Sequence, residues 1–166
     1  MKKRLWILAG PMGSGKSALG RELRDALPRS VYLDGDWCWD ASPFVVTEET
    51  RRMVLGNIRH LLRSFLLCSE YENVVFAWVM PARAVLDAVL DGLPDCEVRA
   101  FSLTCSAGEL CRRLDGDVLA GLREAGVSLR ALSYLPLYPL PGTVELDTTG
   151  LSPREAARKI MELEDF

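Results

Sequence analysis

The sequence predicts an α/β fold of three layers, in which helices cover both faces of a five-stranded parallel sheet. Two observations predict it. Short apolar segments alternate along the chain with segments whose apolar residues recur at helical spacing, which is typical of parallel strands joined by crossover helices. A glycine-rich segment, residues 10–17, also separates the first apolar segment from the first helical one. The 166 residues suit a single domain, residues 1–166.

The first half of the chain predicts three strands and two helices. Residues 5–9 form the first strand, and residues 16–27 a helix with leucines on one face. Residues 31–33 form a second strand that ends in Asp34-Gly35-Asp36. A helix over about residues 47–68 begins at Thr47, and because the third residue after it is Thr50, no capping box is expected. The apolar run 73–80 predicts a strand that is covered on both faces.

The second half predicts two more strands and their helices. Pro81 is expected to open the third helix, since proline is favoured at the first helical position. Residues 96–104 predict a fourth strand, and Ser106 caps a helix to about residue 114. Residues 117–132 are polar and helical, with two glycines as weak points. Residues 142–146 predict the last strand, and Ser152-Pro153 opens the final helix.

Composition excludes several classes of protein. The net charge of −3 provides no attraction for nucleic acid or an anionic membrane, and no apolar segment is long enough to span a bilayer. The first apolar run is too short for a signal peptide. Five scattered cysteines without a C-x-x-C pair indicate reduced, mostly buried thiols, and His60 reads as a helix-surface residue. We expect a cytoplasmic monomer or homodimer without nucleic-acid or membrane partners.

The glycine-rich segment fits G-x-x-x-x-G-K-S, the phosphate-binding loop of nucleoside triphosphate-binding proteins, without a mismatch. Its glycines permit close backbone approach, so that successive N–H groups form an anion site at a helix N-terminus. The lysine supplies a positive charge for the β- and γ-phosphates, and the serine hydroxyl is a magnesium ligand. The expected nucleotide contacts are Gly10, Pro11, Met12, Gly13, Ser14, Gly15, Lys16, Ser17 and Ala18.

Two acidic residues, Asp34 and Asp36, leave the second strand at the sheet edge where ligands gather in such folds. One carboxylate can hold magnesium while the other accepts a proton from a substrate hydroxyl. The alternative is an acidic surface turn. The third strand ends without an acidic residue and the chain has no N-K-x-D segment, which argues against ABC-type or motor ATPases and guanine-specific GTPases. The chain is also short for a subunit of an AAA+ ring.

With these motifs the sequence resembles the small P-loop kinases, which include gluconate, shikimate and adenylylsulfate kinases, chloramphenicol phosphotransferase and the nucleoside and nucleotide kinases. Asp34-Gly35-Asp36 is similar to the D-G-D segment of the adenylylsulfate and gluconate kinases. The resemblance implies ATP and Mg²⁺ as cofactors, with Ser17 and Asp34 at the metal and Asp36 as the catalytic base beside Lys16. The roles of the two aspartates are interchangeable at this point.

The resemblance also implies a helical lid, at about residues 113–132. Arg113 corresponds to the arginine that flanks adenine, and Arg123 and Arg130 to lid arginines that neutralise the transferring phosphoryl group. Such charges matter because phosphoryl transfer is catalysed mostly by positioning and charge stabilisation. The alternative is a solvated helical face with charge pairing along the helix. Thr148 and Thr149 resemble the loop that borders adenine, although an ordinary turn explains them nearly as well.

Aromatic residues surround the expected acceptor site. Trp37 and Trp39 follow the acid pair, and Trp78 and Arg83 follow the third strand. Their rings favour an aromatic or partly apolar acceptor, although Trp78 also suits the core. The glycine triplet of shikimate kinases and the histidine of gluconate kinases are both missing here. We therefore expect a kinase for a nucleoside, a nucleotide or another aromatic hydroxyl compound, the alternatives being a nucleotide-binding regulatory module and a simple NTPase.

Overall fold

The computed structural model describes residues 2–163 and confirms the three-layer α/β fold with one parallel sheet. Within these residues the strands lie in the order β2-β3-β1-β4-β5. The strands are β1 (Arg4–Ala9), β2 (Ser30–Asp34), β3 (Asn73–Trp78), β4 (Glu97–Thr104) and β5 (Val144–Asp147). The helices are α1 (Lys16–Ala26), α2 (Glu48–Leu67), α3 (Arg83–Leu90), α4 (Ala107–Leu119), α5 (Val127–Tyr134) and α6 (Pro153–Glu162), and short 3-10 helices cover Gly35–Cys38 and Leu135–Leu137.

Strand β1 is the centre of the sheet, and its side chains alternate between two hydrophobic cores. Leu5 and Ile7 belong to the core that holds apolar residues of α2 and α3. Trp6 and Leu8 belong to the opposite core, with residues of α1 and α6. Because β1 pairs with β3 and β4 on either side, the loop that leaves its carboxyl end is anchored at the middle of the molecule.

Two helix starts differ from the sequence prediction. Helix α2 does have a capping box, which the sequence analysis excluded: Thr50 Oγ1 accepts from the Thr47 backbone N–H at 2.8 Å, and Thr47 Oγ1 accepts from the Thr50 N–H at 3.2 Å. The hydroxyl of Thr50 therefore takes the place of the glutamate side chain that is usual at the third position of a capping box. Helix α3 begins at Arg83 rather than at Pro81, since Ala82 is extended and the chain needs a short connection after β3.

The predicted helix over residues 117–132 is wrong. Helix α4 continues to Leu119, and α5 begins only at Val127. Gly121 and Gly126 both have positive φ, of 74° and 85°, and so end one helix and begin the next. A small third core, built from buried residues of α4 and α5 with Met12 packed against it, attaches this region to the phosphate loop.

The remaining expectations concern thiols, His60 and membrane segments. All five cysteines are free, but only Cys105 is buried and the others are partly exposed. His60 lies exposed on α2, as expected. No helix in the described part of the chain is long and apolar enough to cross a membrane.

Candidate active site

The phosphate loop leaves β1 and opens α1, and its glycines are required by close packing. Gly13 and Gly15 have positive φ, and Gly15 is the N-cap of α1. A Cβ on Gly10 would lie 2.7 Å from Ser14 Oγ and 2.9 Å from the Leu103 carbonyl oxygen. Ser14 Oγ itself donates to the Pro11 carbonyl at 2.8 Å. The loop is thus held in one shape by β4 and by its own hydrogen bonds.

Lys16 is a buried charge within this loop, with 9% of its surface exposed. Its Nζ donates to the Pro11 carbonyl oxygen at 2.7 Å, across the loop. Burial lowers the pKa of Lys16 to about 8, while the nearby Asp36 and Asp34 carboxylates oppose this change. A bound phosphate would add negative charge beside this ammonium group and stabilise its protonated form.

Asp34 is the buried end of β2, and three donors surround its carboxylate. Ser17 Oγ donates to Oδ2 at 2.7 Å, the Tyr32 hydroxyl donates to the same oxygen at 3.0 Å, and the Asp36 backbone N–H donates to Oδ1 at 3.1 Å. A serine hydroxyl next to a carboxylate is a set of hard oxygen ligands of the kind that Mg²⁺ prefers. The residues present therefore fit a magnesium ion between the phosphate loop and β2.

Asp36 follows on the 3-10 helix and lines an open cleft together with Lys16 and Ser17. Partial burial and the charge of Asp34 raise the pKa of the Asp36 carboxyl, against the opposing charges of Lys16 and Arg123. The turn that carries it depends on Gly35, because a Cβ there would lie 2.4 Å from Trp78 Cγ. The indole of Trp78 thus packs directly on the backbone that presents Asp36.

These groups line one phosphate cleft of about 310 Å³ at the carboxyl end of the sheet. It brings together most of the residues that the sequence analysis proposed for phosphate, metal and transfer. The lining is formed by Met12, Gly13, Gly15, Lys16, Ser17, Ala18, Asp34, Asp36, Ala77, Trp78, Val79, Arg113, Asp117 and Arg123.

The two lid arginines occupy different places. Arg123 lines the phosphate cleft, and its Nε donates to Asp117 Oδ2 at 3.1 Å. Arg130 lies on α5, where its guanidinium contacts Met12 Sδ at 3.5 Å. Both line a neighbouring concavity of about 330 Å³ at the connection between α4 and α5. Arg123 thus shares the cleft with Lys16 and Asp36, whereas Arg130 lies beside Met12 at the rim of the loop.

Arg113 connects α4 to the loop after β5. Its Nε donates to Glu109 Oε1 at 2.8 Å, and its Nη2 donates to the Thr148 carbonyl at 2.8 Å. Thr148 Oγ1 lies 3.2 Å from the Ser14 carbonyl, so both residues fasten this side of the phosphate loop. Thr149 Oγ1 instead accepts from the Ser106 N–H at 2.8 Å, at the start of α4.

A second cavity of about 280 Å³ lies on this side, and we refer to it as the base cavity. It adjoins the phosphate loop and has both apolar and charged walls. Thr149 is not part of its lining. The residues that form it are Ser14, Gly15, Leu19, Glu109, Arg112, Arg113, Thr148, Leu151, Ser152, Pro153 and Ala156.

On the other side of Trp78 lies a third cavity of about 410 Å³, which we call the acceptor chamber. It meets the phosphate cleft at Trp78 and Val79, which line both. The rings of Trp39 and Phe44 pack with centroids 4.5 Å apart. The lining is formed by Trp39, Phe44, Val46, Arg51, Val54, Leu55, Trp78, Val79, Pro81, Val85 and Tyr134.

Two residues proposed for the acceptor lie elsewhere. Trp37 is 58% exposed and packs edge-on against Tyr32, with ring centroids 5.4 Å apart. Arg83 pairs with Asp87 at 2.8 Å and donates to the Pro141 carbonyl, away from the chamber. Tyr32 is a further residue of the site that the sequence motifs do not indicate, although its place two residues before Asp34, on the same face of β2, was a usable signal.

Comparison with known proteins comes from a family model and from solved structures. Residues 7–118, more than half of the chain, match the model of a family described as AAA domain. The matched segment includes the phosphate loop, the acid pair and Arg113. No curated protein matches the sequence significantly.

Three solved structures illustrate the likeness of the fold. A sugar kinase from Janibacter sp. HTCC2649 has 16% sequence identity and a TM-score of 0.74, with 98% of this chain and 95% of that chain covered. The tunicamycin resistance protein of Deinococcus radiodurans has 19% identity and a TM-score of 0.69, covering 99% and 96%. The APS kinase of Mycobacterium tuberculosis, in complex with AMPPNP and APS, has 18% identity and a TM-score of 0.60, covering 99% of both chains.

Proposed function

The chain belongs to the AAA domain family and has the fold of the small P-loop kinases, and from this premise we propose that it is an ATP-dependent small-molecule kinase. It transfers the γ-phosphoryl group of Mg-ATP to a hydroxyl or phosphate of a nucleoside, a nucleotide or another aromatic hydroxyl compound. The observation that carries the proposal is the position of Asp36 in the cleft beside Lys16 and Arg123, which meets an apolar chamber at Trp78 and Val79.

ATP binding uses the loop and the base cavity. The backbone N–H groups at the start of α1 hold the phosphates, and Lys16 exchanges its hydrogen bond to Pro11 for the β- and γ-phosphates. The base lies in the base cavity beside Arg113 and Thr148, whose mutual hydrogen bonds fix that wall. The structural likeness to an APS kinase in complex with AMPPNP supports this arrangement.

Magnesium would be held by the Ser17 hydroxyl and the Asp34 carboxylate. Bound there, the ion supplies positive charge to the phosphoryl oxygens as negative charge develops on them. The Tyr32 hydroxyl donates to Asp34 Oδ2 and so helps to hold this carboxylate in position. Asp34 thus serves the metal, and Asp36, which lines the cleft, is left for the acceptor.

Asp36 orients the acceptor hydroxyl and accepts its proton. A carboxylate with a raised pKa is a stronger base than an ordinary aspartate, which suits a group that takes a proton from an alcohol. Arg123 lies in the same cleft and neutralises charge on the transferring group. Water is a competing acceptor, and the apolar chamber keeps it away from the hydroxyl side.

The test is ADP release from ATP and Mg²⁺ in the presence of a panel of nucleosides, nucleotides, sugar acids, shikimate and hydroxylated aromatic compounds. The proposal predicts strong stimulation by one aromatic class above the rate without an acceptor. D36N should abolish that stimulation and leave the dissociation constant for ATP unchanged. A flat panel with intact ATP binding would favour a regulatory nucleotide-binding module instead, and ATP hydrolysis insensitive to every acceptor would favour a simple NTPase.

A further inference from the structure

The guanidinium of Arg113, on the wall of the base cavity, is held by hydrogen bonds at all three of its nitrogen atoms. Nε donates to Glu109 Oε1 at 2.8 Å, Nη2 donates to the Thr148 carbonyl at 2.8 Å, and Nη1 donates to Thr148 Oγ1 at 3.1 Å. These bonds lie at the edge of the group, because the N–H bonds of a guanidinium point outward in its plane. They therefore fix that plane, and a guanidinium held in this way offers its flat face to an aromatic ring.

Glu109 is the charged partner among these contacts. Its carboxylate accepts from Arg113 through Oε1 and from Arg112 through Oε2, at 2.8 Å and 2.7 Å. The hydrogen bond from Arg112, followed by that from Arg113, lowers the pKa of Glu109 to about 2, so the carboxylate is ionised at neutral pH. The side chains of Glu109 and Arg113 are only 15% and 18% exposed, so water and salt screen this pair less than they screen the ion pairs on the surface.

The start of α4 differs from an ordinary capping box in the use of this glutamate. Glu109 is the third helical residue after the N-cap Ser106, the position from which a glutamate usually accepts a hydrogen bond from the N-cap backbone N–H. Helix α6 has this ordinary arrangement, in which the Ser152 N–H donates to Glu155 Oε2 at 2.8 Å. In α4 the side chain of the glutamate is directed to the arginine instead.

Thr149 makes this difference possible. The Ser106 N–H, which the glutamate would otherwise bind, donates to Thr149 Oγ1 at 2.8 Å. Because that donor is satisfied, the Glu109 carboxylate is available to Arg113, one helical turn later. Thr149 is not among the described residues that line the base cavity. Its hydroxyl therefore influences the wall of the cavity through the start of α4.

We propose that Glu109 and Thr149 are positioning residues for nucleotide binding, which together hold the guanidinium of Arg113 flat against the aromatic base in the base cavity. The inference rests on the proposed function, which places the base there. Glu109 acts directly on the guanidinium, and Thr149 acts by replacing Glu109 in the contact with the Ser106 N–H. Neither role requires a contact with the phosphates.

The test is the dissociation constant for ADP in the presence of Mg²⁺, measured by isothermal titration calorimetry. E109Q keeps the size of the side chain and removes its charge. It should weaken ADP binding about tenfold, since hydrogen bonds between charged groups are the strong ones. T149V replaces the hydroxyl by a methyl group, so that the Ser106 N–H draws Glu109 away from Arg113, and ADP binding should weaken in the same direction. T149S keeps the hydroxyl and should bind ADP as the wild type does.

Two controls separate positioning from a merely structural role. Tripolyphosphate has no base, so the wild type, E109Q and T149V should bind it equally, which also shows that the variants are folded. E48Q is the matched variant: Glu48 pairs with Arg52 at the same spacing, in the first turn of α2, and the described lining of the base cavity includes neither residue. It should leave the affinity for ADP unchanged.

A double-mutant cycle shows whether both residues act through Arg113. In the R113Q background, E109Q and T149V should cause no further loss of ADP affinity, because the guanidinium that they position is absent. Unchanged ADP affinity in E109Q, or a loss of equal size with and without Arg113, would overturn the role of Glu109. The same results for T149V, or a loss that T149S shares, would overturn the role of Thr149. An equal loss of tripolyphosphate binding would overturn both roles.

Phosphoryl transfer separates this inference from the proposed function. Loss of ADP affinity in E109Q that depends on Arg113, without transfer to any acceptor by the wild type, would keep the positioning role and remove the kinase. Transfer by the wild type, with an ADP affinity that E109Q and T149V leave unchanged, would keep the kinase and remove the positioning role.

Discussion

Ser17 donates its hydroxyl hydrogen to Asp34 Oδ2 across 2.7 Å, and this contact joins the phosphate loop to the end of β2. The same carboxylate oxygen accepts from the buried Tyr32 hydroxyl at 3.0 Å. If the serine hydroxyl turned to a metal ion, the Tyr32 hydroxyl would still hold the Asp34 carboxylate in position. The proposed metal site thus combines Ser17 at the start of α1 with Asp34 at the end of β2, and Tyr32 contacts the same carboxylate.

Substitution of Tyr32 tests this support. We expect Y32F to raise the magnesium concentration needed for half-maximal activity by about tenfold, because loss of a group that orients a metal ligand typically weakens metal affinity by that order. The ring and its packing on Gly20 remain, so the fold should be unchanged. Magnesium titration of the activity is the measurement. A matched control is Y71F, whose hydroxyl is remote from the metal site. An unaltered magnesium requirement in Y32F would remove Tyr32 from this role.

Substitution of Gly35 tests the contact between the Asp36 turn and Trp78. We expect G35A to lower the free energy of unfolding by about 1–3 kcal/mol and to reduce kcat, since a Cβ placed 2.4 Å from Trp78 Cγ must displace the indole or the turn. Urea unfolding and steady-state kinetics measure the two effects. G56A is the control: it lies in α2 with nothing within 4 Å of the new Cβ, and should be neutral or stabilising. A fully active G35A would contradict the account.

The pKa of Lys16 predicts a pH dependence of stability. The pKa is lowered from 10.5 to about 8 by burial, so between these values the unfolded chain binds more protons than the folded one. The free energy of unfolding of the nucleotide-free protein should therefore include a contribution from Lys16 that increases from about pH 8 to about pH 10.5. K16M should lack this component, remain folded at pH 7 and lose ATP binding. Urea unfolding of both proteins across this range is the measurement, and parallel pH profiles would contradict the assignment.

The raised pKa of Asp36 predicts where activity fails in acid. The carboxylate accepts a proton only when ionised, so kcat/KM should fall as the pH decreases through a pKa above the ordinary aspartate value. A pH-rate profile measures this decrease, which is the acidic limb of the profile. R123Q removes one of the charges that oppose the rise, and should move the limb to higher pH. A limb that remains at the ordinary aspartate pKa would exclude Asp36 as its source.

Substitution of Arg123 should lower kcat much more than it lowers the affinity for ATP. R123Q is expected to reduce kcat by about 1,000-fold, as with other arginines that neutralise a transferring phosphoryl group, with a much smaller change in ATP affinity. R24Q is the matched control, because Arg24 is an exposed residue of α1 paired with Asp25. Equal kcat values for the wild type and R123Q would place the lid arginine outside the reaction.

The parts of the structure that the sequence predicted correctly are those encoded by residues close together in the chain. The phosphate loop, the alternation of strands and helices and the acid pair each depend on residues close together in the chain, and the fold they predict is confirmed. The break between α4 and α5 was visible at Gly121 and Gly126 but was read as a weak point within one helix. The positive φ of both glycines makes it a true interruption.

The acceptor chamber was harder to predict from the sequence, because its walls come from segments that are far apart in the chain. Tyr134 reaches the chamber from α5, and no local pattern connects it with Trp39 or Trp78. Arg83 follows β3 closely in the sequence, as expected for an acceptor contact. Its side chain instead pairs with Asp87, one helical turn later, and does not line the chamber. Trp37 and Trp39 are two residues apart, yet only Trp39 lines the chamber.

The central claim is that the γ-phosphoryl group passes from ATP to an acceptor oriented by Asp36. The direct measurement follows the label from γ-phosphate-labelled ATP into aromatic hydroxyl compounds and nucleosides, with the wild type and D36N compared. The account predicts a labelled acceptor product with the wild type and none with D36N, although both bind ATP equally. Label recovered only as free phosphate, or an equal yield of product from D36N, would contradict it.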